Sequence, residues 1–498
     1  MKILSSKQIR ELDAHTIANT PIASIDLMER ACRAFMSWFV GEYGTDTSVG
    51  IFCGTGNNGG DGLGIARMLR EHGYPVTCWI IKASMPVTTD FAANLERARL
   101  AGVTLFEVTV PHDGLAAECD LLIDALFGSG LSRPAEGLYA WAIEEMNRTN
   151  CRRIAVDIPS GLMADAPSSG SIVRADYTIT FQLPKLAFLL PRSAEFVGEW
   201  VLVDIGLLKD FIQSAQSSFF YTREKNICRI LRPRHRFDHK GTYGHALLVA
   251  GSLGKMGAAV LASRSTLRAG VGLLTVHIPS GANVILQTAV PEAMVSLDRN
   301  EEMFSSPPAL DDYAAIGIGP GLGRSSETAR AFEFILKHYQ KPMVIDADAL
   351  NILSEHKEWL GLLPEGSVLT PHPKEFERLA GPSADDFARL EKLRALAGKT
   401  RCVVVLKGAY TAVAAPDGIV YFNSTGNPGM ATGGTGDVLT GIITGLLAQR
   451  YAPLDAARLG VYLHGLAGDL ARVELGMQGM IASDLINFLP AAFGRLTR

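Results

Sequence analysis

The chain has little of what several protein classes require. Its seven cysteines show no CxxC pairing and six precede residue 230, a pattern that supports neither a disulfide framework nor a structural zinc site. No uninterrupted apolar run approaches the roughly 20 residues of a membrane span. The opening MKILSSKQIRELDAHTIANT is polar where a secretory signal is apolar. A formal net charge of −4 gives no basic footprint for nucleic acid or anionic membranes. There is no fixed-period repeat and no low-complexity tract. A soluble protein of the reducing cytoplasm is the expectation, with small molecules rather than nucleic acid or membrane as partners.

What is present is a full complement of core-forming material. With 498 residues, 47% of them hydrophobic and 20% charged, the chain exceeds what one core serves, and 50 Gly with 24 Pro imply many sharp connections. Helical spacing marks residues 6 to 19 and 24 to 40, with Ser24 as a cap of the second segment. Short apolar runs then alternate with amphipathic stretches at Val49 to Cys53, Val76 to Ile81, Leu121 to Ile123, Ile154 to Val156, Tyr177 to Phe181 and Val201 to Val203. That rhythm predicts a parallel α/β sheet. A polar stretch near Asp210 to Ser218 and a basic one at Arg229 to Lys240 interrupt it. It resumes at Ala246 to Val249, Leu273 to Ile278, Ala315 to Ile318, Met343 to Ile345, Val368 to Leu369 and Val403 to Leu406. Two different α/β domains are expected, residues 1–215 and 216–498.

In the first half, a strand runs into Cys53-Gly54-Thr55-Gly56-Asn57-Asn58-Gly59-Gly60-Asp61-Gly62, ahead of the helical pattern Leu63 to Glu71. Strand, glycine loop and helix N-terminus suit an anion or dinucleotide, although glycines alone also serve a tight turn. The acidic residue a dehydrogenase would carry about 20 positions on is missing after Val76 to Ile81. Asp124 closes a strand before Gly128-Ser129-Gly130-Leu131-Ser132-Arg133-Pro134, and Asp157-Ile158-Pro159-Ser160-Gly161 closes the next. Taken singly, either aspartate could cap a helix or bond a loop. Together these turns converge on one edge of a parallel sheet.

In the second half, Asn427-Pro428-Gly429-Met430-Ala431-Thr432-Gly433-Gly434-Thr435-Gly436-Asp437 precedes the helical run Val438 to Gln449. Glycines there let backbone amides approach a phosphoryl group, and Asp437, in the first turn, is placed to meet an acceptor hydroxyl. The alternative for Asp437 is a capping carboxylate without chemistry. Lys407-Gly408-Ala409-Tyr410-Thr411 and Thr370-Pro371-His372-Pro373-Lys374-Glu375-Phe376 each follow a strand, and His372 could equally be structural. Gly251 to Ala259 and Gly319 to Gly323 add glycine turns at strand ends. Asp346-Ala347-Asp348 opens another helix, as a solvated cap or beside a magnesium-bound phosphate.

The string NNGGDG resembles the epimerase domain of the bifunctional NAD(P)H-hydrate repair enzymes. The ordered set HPKEF, KGAYT and GTGD resembles their dehydratase domain, within the ribokinase-like fold. Motifs at about eight places in family order carry the resemblance, with weak coverage at residues 205–240 and 296–312. It implies a Rossmann-like parallel-sheet domain followed by a ribokinase-like α/β domain. The first would interconvert R and S hydrates of NADH and NADPH. There Asn57, Asn58, Gly59, Gly60, Asp61, Gly128 to Pro134 (with Ser129, Gly130, Leu131, Ser132 and Arg133) and Asp157 would hold the hydrate. Asn58, Asp124 and Ser160 would coordinate K⁺. Asp157 and Asp124 are the candidate proton carriers, which the sequence does not rank; a cation ligand cannot also be a free base, and Asp157 is the catalytic residue the resemblance implies.

The second domain would dehydrate the S hydrate at the expense of ADP with Mg²⁺, giving AMP and phosphate. Ala258, Gly321, His372 and Asp437 would bind the hydrate, Lys407, Gly408, Ala409, Tyr410, Thr411 and Gly436 the nucleotide, with Asp437 catalytic. A homo-oligomer is expected. The competing readings are a ribokinase-like kinase of a small alcohol, whose product keeps its phosphate, and a first half that only binds nucleotide or protein.

Overall fold

The structure, a computed structural model, describes residues 1–83, 87–112, 114–115 and 119–497. It comprises two compact units, residues 2–217 and residues 218–498 together with Met1.

The first unit runs α1 (Ser6–Asn19), α2 (Ser24–Glu42), β1 (Val49–Cys53), α3 (Asn57–Glu71), β2 (Val76–Ile81), α4 (Thr89–Leu100), β3 (Thr104–Val108), β4 (Leu121–Ala125), α5 (Gly137–Arg148), β5 (Arg152–Val156), β6 (Tyr177–Phe181), α6 (Ala194–Val197), β7 (Glu199–Val203) and α7 (Lys209–Ser214). The seven strands are all parallel, in the order β3-β2-β1-β4-β5-β6-β7. Strands β1 and β4 are buried along their whole length, as their near-continuous apolar runs require in a sheet covered on both faces. Helix α2 buries Leu27, Met28, Ala31, Cys32, Phe35, Met36 and Phe39, one stripe of a 3.6-residue period. Strand order reverses between β1 and β4, which opens a crevice at their carboxyl ends, the place where open α/β sheets receive ligands.

The second unit runs β8 (Phe219–Tyr221), α8 (Glu224–Cys228), β9 (His245–Val249), α9 (Met256–Arg268), β10 (Leu273–Ile278), α10 (Asn283–Ala289), β11 (Met294–Leu297), β12 (Ala315–Ile318), α11 (Ser326–His338), β13 (Met343–Ile345), α12 (Ala347–Glu355), β14 (Val368–Leu369), α13 (Pro373–Ala380), α14 (Asp386–Thr400), β15 (Val403–Leu406), β16 (Ala412–Ala414), β17 (Val420–Phe422), α15 (Thr435–Ala448), α16 (Pro453–Leu475) and α17 (Ala482–Leu496). Its ten strands lie in the order β11-β10-β9-β12-β13-β14-β15-β16-β17-β8. Order reverses between β9 and β12, and there Gly251 N donates to the Pro320 carbonyl (2.8 Å), drawing the two glycine turns together. Helix α15 is buried along its length from Val438 to Ala448, as its all-round apolar sequence demands.

The structure departs from the sequence expectation in four places. The second sheet is mixed, because β16 runs antiparallel to both β15 and β17. Segments Thr104–Val108, Phe219–Tyr221 and Met294–Leu297 are strands where none was expected. Helix α3 starts at Asn57 rather than Leu63, so NNGGDG forms its opening turns; a Cβ on Gly59 would lie 1.8 Å from the Gly54 carbonyl, and only glycine lets the helix sit this close to the strand end. Ser24 is not the cap of α2. Ala23 occupies that position, with its N–H bonded to Asp26 Oδ2 (3.0 Å), and the Ser24 hydroxyl donates instead to Asp90 Oδ2 (2.6 Å).

Candidate functional sites

In the first unit the crevice widens into a cavity of about 880 Å³. Asn57, Asn58, Asp61, Gly128 to Pro134 and Asp157 line it. Gly59 and Gly60 do not; Gly59 packs on Gly54 and Gly60 on Met28. Asp124 and Ser160 lie beneath the lining, both fully buried. Ser160 donates from its backbone N to Asp124 Oδ2 (2.7 Å) and from its hydroxyl to Oδ1 (2.6 Å), and Phe127 N donates to Ser160 Oγ (2.8 Å). Asn58 Nδ2 donates to the Phe127 carbonyl (2.9 Å). The sequence-predicted trio is thus gathered around one carbonyl, and every available ligand atom is an oxygen, the donor chemistry of a hard cation. Burial pushes the Asp124 carboxyl up to about 6, against the hydrogen bonds from Ser160 and Leu126.

Asp157 stands at φ +67°, a left-handed conformation that costs a non-glycine residue energy and that collects at functional sites. Its Oδ1 accepts from Phe181 N (3.1 Å), from the Thr180 hydroxyl (3.3 Å) and from Lys185 Nζ, which also donates to Thr180 Oγ1 (2.7 Å). Lys185 is 1% exposed and lines the cavity. The sequence reading missed this lysine, although a lone Lys inside the apolar run Leu183-Pro184-Lys185-Leu186-Ala187-Phe188 is the mark of a buried cation. It also missed Asp13, a cavity residue of α1 that no motif announces. Burial, with the Asp157 charge beside it, raises the Asp13 carboxyl to about 7, while Lys185 acts in the opposite sense. Asp61 is raised well above the carboxylate range by burial, Asp157 and Asp13.

In the second unit the GTGD segment opens α15. Gly434, at φ +91°, caps the helix in a conformation that glycine adopts freely. The first backbone N–H groups of the helix have no partner within it and so are available to an anion. Lys407 Nζ donates to Asp346 Oδ1 (2.8 Å), and the Thr440 hydroxyl of α15 donates to Asp346 Oδ2 (2.7 Å). A Cβ on Gly436 would lie 3.5 Å from Lys407 Nζ, so lysine and anion hole adjoin. Burial, then Asp346, pushes the Asp437 carboxyl up to about 6, with Lys407 opposing and Asp348 adding to the rise. A carboxyl at this value exchanges protons near neutral pH.

The other predicted residues of the second unit lie in turns at strand and helix ends. His372 caps α13, its Nδ1 accepting from Lys374 N (3.1 Å) and Glu375 N (3.3 Å), while Glu375 Oε2 accepts from His372 N (2.8 Å). Burial, then Lys407 and Arg378, lowers the His372 imidazole, and burial raises Glu375 against Lys407. Lys407 Nζ is 3.9 Å from Glu375 Oε2, which joins the His372 turn to the lysine. Gly408 to Thr411 form a turn closed by Gly408 N on the Thr411 hydroxyl (3.3 Å) and by that hydroxyl on the Gly408 carbonyl (3.0 Å). A Cβ on Gly321 would be 3.1 Å from Ala258 Cβ, so these two residues of the paired glycine turns meet.

Three supports were invisible in the sequence. His464 Nε2 donates to the Thr435 carbonyl (2.9 Å) under the anion hole, its imidazole lowered to about 4 by burial and therefore neutral. Asp469 accepts from Gly426 N (2.9 Å) and Asn427 Nδ2 (3.0 Å), which fixes the approach to that hole. Asp298 gathers Asn300, Ser305 and Ser306 and touches His277 Nε2 (3.2 Å); the loop it organises offers the Glu302 carbonyl to Leu253 N (2.7 Å) in the turn after β9. Burial opposes the Asp298 charge, but those hydrogen bonds outweigh it and hold the carboxyl at about 2.

Fold and sites together define a two-site α/β enzyme, a Rossmann-like unit followed by a ribokinase-like one with an acid at its anion hole. Residues 24–187 match the family described as YjeF-related protein N-terminus, and residues 246–491 match NAD(P)H-hydrate dehydratase. A bifunctional NAD(P)H-hydrate repair enzyme of Thermofilum pendens is 37% identical over 100% of this chain and 97% of its own length. One of Moorella thermoacetica is 39% identical over 98% and 96%. The crystal structure of an ADP/ATP-dependent NAD(P)H-hydrate dehydratase from Bacillus subtilis, co-crystallised with ATP and Mg²⁺, is 33% identical, with a TM-score of 0.50 over 56% of this chain and 98% of that one. The chain belongs to the bifunctional NAD(P)H-hydrate repair enzymes.

Proposed function

We propose that residues 1–215 epimerise the R and S hydrates of NADH and NADPH, and that residues 216–498 dehydrate the S hydrate with ADP, releasing AMP and phosphate. The observation that carries the reading is Asp437, poised near neutrality in the first turn of α15 beside Lys407. Hydroxide is a poor leaving group and phosphate a good one. Asp437 takes the proton of the ring hydroxyl as the hydroxyl oxygen attacks the terminal phosphoryl group of the nucleotide and AMP leaves; the phosphate then departs with the C–O electron pair, and the neighbouring ring carbon gives up a proton to water so that the ring C=C bond forms. Ala258, Gly321 and His372 hold the hydrate. Lys407 to Thr411 and Gly436 hold the nucleotide, so that Lys407 and the α15 amides meet the transferring charge. Among the described residues no group of three His, Cys, Asp or Glu side chains could hold a metal, so Mg²⁺ would ride mainly on the nucleotide phosphates, facing Asp346 and Asp348, and supply charge neutralisation.

In the first unit the phosphates of the hydrate fit the amides of Gly128 to Pro134 and the N-terminus of α3, and Asp157 is the catalytic carboxylate. Asn58, Asp124 and Ser160 would hold K⁺, which supplies a counter-charge to buried Asp124. The protein would act in the cytoplasm as a homo-oligomer.

Purified protein given mixed hydrates, ADP, Mg²⁺ and K⁺ should restore the dihydronicotinamide absorbance of both epimers, and Asp437→Ala should abolish the recovery. Recovery of the S form alone would remove epimerisation from the first unit. A stable phosphorylated product would identify a small-molecule kinase instead.

A further inference from the structure

The carboxylates of the first site differ in what they are already doing. Asp124 is buried below the cavity and saturated by Ser160 and Leu126. Asp157 is bound into an ion pair with Lys185 and accepts further from Phe181 and Thr180, an arrangement that fixes its carboxylate in place. Asp13 differs. Helix α1 buries Leu12 and Thr16, and the Thr16 hydroxyl accepts from Leu208 N (3.2 Å), which sets the rotation of the helix. Ile9, Arg10 and Asp13, spaced three and four apart, therefore share the face that lines the cavity. Phe181, Ile205 and Leu207 add apolar lining to the same cavity. A flat ring fits such a lining, and the charged part of the cavity is left to the phosphates.

We propose that Asp13 is the proton carrier of the first site, acting on the ring hydroxyl against the apolar lining of Ile9, Phe181, Ile205 and Leu207. The inference rests on the epimerase reading above. Protonated Asp13 gives its proton to the hydroxyl as the C–O bond breaks; the bonding pair leaves with the oxygen as water, and the ring nitrogen lone pair delocalises into the planar cation that remains. Ionised Asp157, neutralised in the resting site by Lys185, stabilises that cation. Water then adds to the opposite face, and the proton it sheds returns to Asp13 through cavity water, so atoms and charge balance without any other reactant. The titratable carboxylates and charged groups lining the same cavity besides Asp13 are Asp157 after β5, Lys185 after β6, Asp61 on α3, Arg133 and Glu136 in the loop after β4 and Arg10 on α1 itself.

The test follows conversion of purified R hydrate of NADH to the S form by chromatography, using the full chain without nucleotide and subtracting the spontaneous rate. Asp13→Asn keeps the shape of a protonated carboxyl but carries no exchangeable acid proton. It should lower the turnover about 100-fold, the usual scale of general acid–base catalysis. KM for the hydrate should stay within about twofold, the difference between transition-state and ground-state binding. The pH dependence near neutrality should disappear, and Asp13→Glu should restore part of both. An unfolding midpoint no lower than the parent's confirms that Asp13→Asn is folded. Full turnover in Asp13→Asn, or a reduced turnover with the parent's pH profile, overturns the assignment to Asp13 alone. A wild-type chain no faster than buffer overturns the epimerase reading and the assignment with it.

Discussion

Lys407 and Thr440 share one carboxylate: Asp346 offers Oδ1 to the lysine at the end of β15 and Oδ2 to the threonine of α15. The lysine that follows β15 is thereby tied to the helix that carries Asp437, and strand end and glycine turn keep one spacing.

Asp346→Asn should consequently act on binding and on proton transfer together. Losing a charge-assisted hydrogen bond worth about 1.5–3 kcal/mol should raise the nucleotide KM by roughly 10- to 100-fold. Asp346 also raises Asp437, so its neutralisation lets the Asp437 carboxyl ionise more readily. The acid limb of the dehydration profile should move to lower pH. Steady-state kinetics across pH will report both effects, and an unmoved limb would separate the two carboxylates.

For Asp437 itself the sign is set by its role as acceptor. Its carboxyl sits at about 6, so dehydration of the S hydrate should be full above that pH and fall as pH drops through it. Asp437→Asn should cost about 100-fold or more in turnover at pH 7.5 and abolish this limb. A surviving limb would belong to another group.

Ser160 links Asp124 to the loop before Gly128. Ser160→Ala removes the hydroxyl that donates to Asp124 and accepts from Phe127 N, leaving both partners buried. A destabilisation of about 1–3 kcal/mol is expected in denaturant unfolding. Half-saturation of epimerisation by KCl should also shift upward. Unchanged K⁺ dependence would remove Ser160 from the cation site.

Asp298 tests the support of the turn after β9. Because its folded carboxyl is held at about 2, below the ordinary 3.8, its contribution is complete above the ordinary value and is lost as pH falls towards about 2. Asp298→Asn should lower stability at neutral pH by about 2 kcal/mol, and the gap to the parent should narrow on acidification. Thermal unfolding at a series of pH values will show this, and a gap that widens in acid would reverse the argument.

The glycine turns and the strands feeding them are the most legible features of the chain, because buried parallel strands write continuous apolar runs and phosphate turns write glycine. NNGGDG follows β1 at the reversal point of the first sheet and the Lys407 turn follows β15, as those signals place them, while GTGD opens α15. Asp13 and Lys185 were not legible as a site: each is one side chain, brought to the cavity by the rotation of a helix or the burial of a loop, and neither belongs to a motif. The hairpin β16–β17 escaped for a different reason. Its strands are three residues each, too short for a period-2 alternation to stand out. Edge strand β3 is largely exposed although Leu105, Phe106 and Val108 are apolar, so its sequence marks no continuous core face.

Strand β8 has a practical consequence. Phe219, Phe220 and Tyr221 pair in parallel register with Val420, Tyr421 and Phe422, and Phe220 stacks on Tyr421 at 5.3 Å. The region matching the dehydratase family begins only at residue 246. A fragment cut at that limit would retain every residue of the anion hole yet leave β17 as a bare apolar edge, an invitation to intermolecular pairing. A fragment beginning at Ser218 keeps these three residues, which a cut at residue 246 discards together with the rest of 218–245 and its buried core residue Ile227.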